Sequence, residues 1–292
     1  MSGASSSTSP VAARISQRRD DGTGALVGYL PIGFPDLDTS IEAAVALVEN
    51  GVDILELGLP YSDPVMDGPV IQAAAQQSLA NGFKLRHAFD AVRAVKERVS
   101  APVLLMTYWN PIIQFGVDSF ADQLQAAGGA GLITPDLVPD EATGWLAASD
   151  RTGLDRVFLA APSSSETRLR RTAEVSRGFV YAVSTMGITG ARADVDRAAR
   201  GLVGRLRDVG VDGESAFTCV GIGISTGKQV REVLGYADGA IVGSALVAAL
   251  AEGGVSAVAA CAAGLSEGTA PVGADDAIAA VADVAREGSV SA

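Results

Sequence analysis

The stretch DILELGLPYSDPVMDGPVI, Asp53 to Ile71, decides how the rest of the chain is read. It opens as a buried-strand pattern, Ile54-Leu55-Glu56-Leu57, with a carboxylate where an aliphatic residue belongs. Side chains alternate along a strand, so Ile54, Glu56 and Gly58 share one face and Leu55, Leu57 and Leu59 the other. If both faces are covered, Glu56 points into a packed interior, where an unpaired charge is costly. The plain alternative is a strand-end residue turned to solvent. A turn-rich loop follows, with Pro60, Ser62-Asp63-Pro64 and Asp67-Gly68-Pro69. Asp63 suits a turn that hydrogen-bonds its own backbone. Asp67 suits a helix start, with Pro69 at the first helical position.

Working outward, seven more apolar runs resemble this one, and each is followed by an amphipathic or glycine-ended segment. The predicted strands are Ala25-Leu30, Asp53-Gly58, Val103-Thr107, Gly131-Thr134, Arg156-Ala160, Phe179-Val183, Phe217-Val220 and Gly239-Val242. The helix after the first strand is expected to be capped by Asp38 or Thr39. Short runs without clean alternation call for a parallel sheet covered on both faces. Eight strand–helix units predict an α/β fold closed as a (β/α)8 TIM barrel. A doubly wound sheet is the runner-up, but no GxGxxG follows the first strand. Residues 1–20, opening MSGASSSTSP, read as a disordered leader, and 21–292 as one barrel domain. After the loop SEGTAPVG at 266–273, an extra C-terminal helix is expected over Ala274 to Glu287.

With 292 residues and 48% hydrophobic content, the chain can bury a large core. Its formal net charge of −12 argues against general binding to nucleic acid or anionic membranes. One phosphate is still compatible, because helix N-terminal N–H groups can hold it without lysines. Apolar runs fall short of the ~18–20 residues that span a bilayer, so no transmembrane helix is expected. The first ten residues lack a signal peptide's basic start and apolar core, which predicts a cytoplasmic protein. Cys219 and Cys261 have no metal-ligand spacing and read as small hydrophobes. The single histidine, His87, lies in a helical stretch beside Arg86, so acid–base chemistry falls to carboxylates or tyrosine. Lys228 lies inside a helix rather than at a strand end, which argues against Schiff-base chemistry.

In such a barrel the site is built from loops at the C-terminal strand ends. Glu56 near the end of the second strand and Asp67 in the next loop could converge there. Gly187 and Gly190, Gly221-Ile222-Gly223-Ile224-Ser225, and Gly243-Ser244 follow strands six, seven and eight. Glycine serves tight turning, but at strands seven and eight it also allows a phosphate to approach helix N-termini. Phe34, Leu105, Tyr108 and Leu132 lie at or near strand ends, either as core or as walls for an apolar aromatic substrate.

The run LELGLPYSDPVMDGP resembles the signature of the tryptophan synthase α subunit family. So do MTYWNP from Met106, LITPDLVPDE from Leu132, FVYAVSTMGITG from Phe179, GIGIST from Gly221 and IVGSALV from Ile241. They cover Gly24 to Leu250 in the family's order. The resemblance implies cleavage of indole-3-glycerol phosphate to indole and glyceraldehyde 3-phosphate, with Glu56 as general acid/base and Asp67 holding the indole N–H. It implies substrate contacts at Phe34, Tyr108, Leu132, Tyr181 and Thr189, and phosphate ligands at Gly190, Gly223, Gly243 and Ser244. Asp136 falls on a position facing the partner. That partner is a pyridoxal-phosphate β subunit in an αββα heterotetramer, and the α chain itself uses no cofactor or metal. Free α subunits of this kind are weak catalysts. The competing class is a catalytically idle phosphate-binding subunit that only activates its β partner. Thr185-Met186 and Ile222 depart from the family's usual Arg-Ala pair and aromatic residue, and residues after Gly253 match poorly.

Overall fold

Eight parallel strands close into a barrel in chain order, each hydrogen-bonded to the next and the eighth to the first. The computed structural model describes residues 9–183, 192–209, 217–221 and 223–271, with side chains of the 192–208 helix described from 196 onward. The strands are β1 Ala25–Pro31, β2 Ile54–Gly58, β3 Val103–Met106, β4 Gly131–Thr134, β5 Asp155–Ala160, β6 Val180–Val183, β7 Thr218–Gly221 and β8 Gly239–Val242. The barrel expectation holds, and the strand ends agree with the sequence to within a residue or two.

Alternation sorts the core into two layers. Val27, Ile54, Leu104, Ile133, Val157, Cys219 and Ile241 pack together inside the barrel. Leu55, Leu57, Leu105 and Leu132 belong to the larger layer between strands and helices. Glu56 therefore shares the inner face with Ile54, as alternation requires, and is only 1% exposed.

The first helix, α1 (Pro10–Asp20), overturns the expectation of a disordered leader from residue 9 onward. Ser9 caps it, accepting from Ala12 N at 2.9 Å, and Pro10 supplies a preset first turn. Val11 and Ile15, one helical turn apart, are wholly buried against the inner layer. The helix thus closes the floor of the barrel. Carboxylates at strand starts hold it there: Asp155 accepts from Ser9 Oγ at 2.9 Å, Asp53 faces Arg14 and Arg18 at 3.5 and 3.3 Å, and Asp238 faces Arg19. Residues 1–8 and the expected helix over Ala274–Glu287 lie outside the described residues.

The outer helices are α2 Leu37–Glu49, α3 Pro69–Ala80, α4 Arg86–Lys96, α5 Trp109–Phe115, α6 Val117–Ala126, α7 Thr143–Thr152, α8 Glu166–Val175, α9 Arg192–Asp208, α10 Gly227–Leu234 and α11 Ser244–Ser266. The cap of α2 is Asp36, accepting from Thr39 N at 2.8 Å, in place of Asp38 or Thr39. α5 occupies what reads as loop; Pro111 fits because it lies in the first turn, where no intrahelical N–H partner is lost. By length and composition, Ser244–Thr269 could cross a membrane, contrary to expectation. Its apolarity is spread over alanines and glycines, it bends at Gly253 and Gly254, and it packs on β1 and α2.

Candidate active site

A cavity of about 180 Å³ opens at the C-terminal end of the barrel. Its base is the uppermost inner layer: Tyr29 from β1, Glu56 from β2, Met106 from β3, Tyr181 from β6, Gly221 from β7 and Ile241 from β8. Its rim is Met66, Asp67 and Gly68 after β2, Gly223 after β7, and Gly243-Ser244 after β8. Two carboxyl groups and two glycine loops thus meet over one space.

Glu56 arrives on the inner face because β2 alternates, and Oε2 has no hydrogen-bond partner among the described residues. Burial raises its pKa to about 8, and the charge of Asp67 adds to the rise. Asp67 is less buried and is raised to about 6 by desolvation, with a Tyr108 hydrogen bond acting in the opposite direction. At neutral pH the pair therefore holds one proton, on Glu56, beside an ionised Asp67. Groups pushed apart in this way divide acid and base work between them.

The opposite wall is main chain. Gly223 adopts a left-handed φ of 70°, which an L side chain rarely takes, and a Cβ there would meet nothing within 4 Å. Gly243 precedes the first turn of α11, which starts at Ser244. Unpaired N–H groups at such a start favour an anion.

The remaining expected residues are distributed more widely. Tyr108 is not on the cavity wall; its hydroxyl accepts from Met66 N at 2.8 Å and its ring packs on Tyr61, bracing the Asp67 loop. Asp136 is exposed and accepts from Trp109 N at 2.8 Å, capping α5. Leu132 is a correction: it pairs with Leu105 and Arg156 and faces the helices, while its neighbour Ile133 takes the inner face. Phe34 is a second correction, buried in the outer layer away from the cavity. Thr189 and Gly190 lie outside the described residues, as do Thr185, Met186 and Ile222.

Tyr29, Met106 and Ile241 line the cavity although the sequence reading passed over them. Tyr29 had a usable signal: it is the one hydroxyl-bearing side chain in an aliphatic strand, the same anomaly that marked Glu56. A larger cavity of about 380 Å³ lies between the loop after β4 and α8, lined by Leu137, Leu159, Arg168 and Arg171. It has neither the carboxyl pair nor the glycine loops. Among the described residues, no group of three or more His, Cys, Asp or Glu could hold a metal ion.

A family profile described as Tryptophan synthase alpha chain matches residues 15–268. The protein of that name from Leifsonia xyli subsp. xyli is 69% identical over 260 residues, covering 89% of this chain and 98% of the relative. That from Mycobacterium avium is 55% identical over 240 residues, covering 82% and 87%. Among solved structures, an open form of tryptophan synthase from M. tuberculosis superposes with a TM-score of 0.83 at 46% identity, covering 90% of this chain and all of that one. A mutant tryptophan synthase alpha-subunit from Pyrococcus furiosus gives 0.74 at 35%, covering 85% and 98%.

Proposed function

Because the chain belongs to the tryptophan synthase alpha chain family, lyases that cleave indole-3-glycerol phosphate to indole and glyceraldehyde 3-phosphate, we propose that Glu56 and Asp67 carry that reaction in the barrel-mouth cavity. Protonated Glu56 delivers its proton to C3 of the indole ring. The bond from C3 to the hydroxyl-bearing glycerol carbon then breaks, its electron pair restoring the aromatic ring. The hydroxyl proton passes to the Glu56 carboxylate, leaving an aldehyde and regenerating the acid. Ionised Asp67 stabilises positive charge developing at the indole nitrogen.

Gly223, Gly243 and Ser244 hold the phosphate with main-chain N–H groups, together with Gly190. Tyr181 walls the indole, Tyr108 sets the Asp67 loop, and Thr189 acts from the loop after β6. The observation that carries the reading is that Glu56, buried and with Oε2 unpartnered among the described residues, lines the same cavity as the glycine loops. Glu56→Gln is expected to abolish indole release from indole-3-glycerol phosphate while phosphate binding persists. Retained turnover would falsify the assignment.

The partner is a pyridoxal-phosphate β subunit in an αββα heterotetramer of the cytoplasm. It docks on the C-terminal face, where Val65, Ile113, Val138 and Asp136 are exposed. An idle activating subunit would have no need of an acid held protonated at its centre.

A further inference from the structure

Tyr29 and Glu56 are direct cross-strand partners in the β1–β2 register, and both line the cavity. The tyrosine ring has a fixed seat. A Cβ added at Gly58 would come within 2.3 Å of the Tyr29 hydroxyl, and one at Gly243 within 3.3 Å of the ring. A side chain at Gly58 would displace the ring, and one at Gly243 would crowd it. Gly58 lies two residues beyond Glu56 on the same face, so its notch holds the hydroxyl on the mouth side of the carboxyl. Glu56 Oε2 has no hydrogen-bond partner among the described residues.

We propose that Tyr29 is a positioning residue, whose hydroxyl donates to the Glu56 carboxylate and holds it in line with the substrate. The inference rests on the acid–base role given to Glu56. That role requires both protonation states, and burial favours only the neutral one. A donor aimed at the carboxylate supports the ionised state and fixes its direction. The phenol itself stays neutral, because burial and the nearby charges of Asp67 and Glu56 push its pKa up. Of the other titratable groups nearby, Tyr181 lines the cavity while Tyr108 and Cys219 lie off its wall, and each is raised chiefly by burial. Among the described residues lining the cavity, Asp67 is the only other carboxylate, and Tyr29→Phe leaves it in place.

The test is steady-state indole release from indole-3-glycerol phosphate between pH 6 and 9.5, with the full chain alone and with the β subunit. Tyr29→Phe is expected to lower kcat about 10-fold to 100-fold, as for loss of a hydrogen bond to a charged group. KM should stay within about 2-fold, because the ring that walls the cavity remains. The alkaline limb of the pH profile should move to higher pH, since the carboxylate has lost a donor. Tyr29→Leu, which removes the ring as well, should also raise KM. A Tyr29→Phe enzyme with unchanged kcat and an unmoved alkaline limb would overturn the inference, as would a change in KM alone. Glu56→Gln in the same series separates the two failures. If it keeps turnover, the acid–base reading is lost; if it is dead while Tyr29→Phe is unaltered, only the role of Tyr29 is lost.

Discussion

Glu56 is a carboxyl that the fold holds in its neutral form at a cost that depends on pH. With its pKa raised to about 8 by burial, the folded state keeps a proton that the unfolded chain releases near its ordinary value. Stability from this group is therefore complete below about pH 4.5 and is lost as pH rises toward 8, by roughly 3–5 kcal/mol in all. Urea unfolding of the wild type at pH 5.5 and 8.5, set against Glu56→Gln, should show a steeper loss in the wild type. Equal slopes would place the side chain in water. At this scale the sequence was readable where chemistry was out of place: a carboxylate in an aliphatic strand is an anomaly that burial must explain. The resemblance misplaced Leu132 and Phe34 at the substrate wall. One step of register separates Leu132 on the outer face from Ile133 on the inner, and a four-residue strand gives alternation little to anchor on.

Among the elements, α1 shows how a short helix acquires stability it could not have alone. Its charged residues Arg14, Arg18 and Arg19 made residues 1–20 look like solvated leader, yet each pairs with a carboxylate at a strand start. Two apolar residues a turn apart, Val11 and Ile15, were the legible sign, outweighed by the polar tract before them. Ile15→Ala should cost about 2–4 kcal/mol, as for a fully buried aliphatic side chain, measured as a lower urea midpoint with unchanged slope. A loss below about 1 kcal/mol would mean that the helix does not close the barrel floor. The strands were legible because each is a short apolar run with glycine, proline or a carboxylate at or near one of its ends. α5 was not, since Pro111 and Asn110 look like a turn until Asp136 caps the helix from another loop.

For the whole molecule, the features to reconcile are a net charge of −12 and, among the described residues, large exposed aliphatics at one end. Val65 is 83% exposed, Ile113 54% and Val138 50%, all in segments that follow β2, β3 and β4. Isolated exposed aliphatics need no explanation, but the group around the active-site mouth is the surface proposed above for docking the β subunit. Val138→Asp should weaken association with the β subunit about 10-fold or more, by titration calorimetry, while the unfolding midpoint of the isolated chain stays within about 0.5 kcal/mol. An unaltered affinity would move the interface elsewhere. The barrel and its mouth could be read from eight repeated units, whereas this patch could not. Its members lie far apart in the chain and become neighbours only when the barrel closes.

The floor helix has a consequence for the order in which the protein takes shape on the ribosome. It is the first described element to leave the exit tunnel, yet its anchors, Asp53, Asp155 and Asp238, emerge early, midway and almost last. Nascent chains that stop short of residue 238 therefore lack part of its seat. The amino terminus must wait for nearly the whole polypeptide before it can settle, which makes its docking a late report that all eight staves have been delivered.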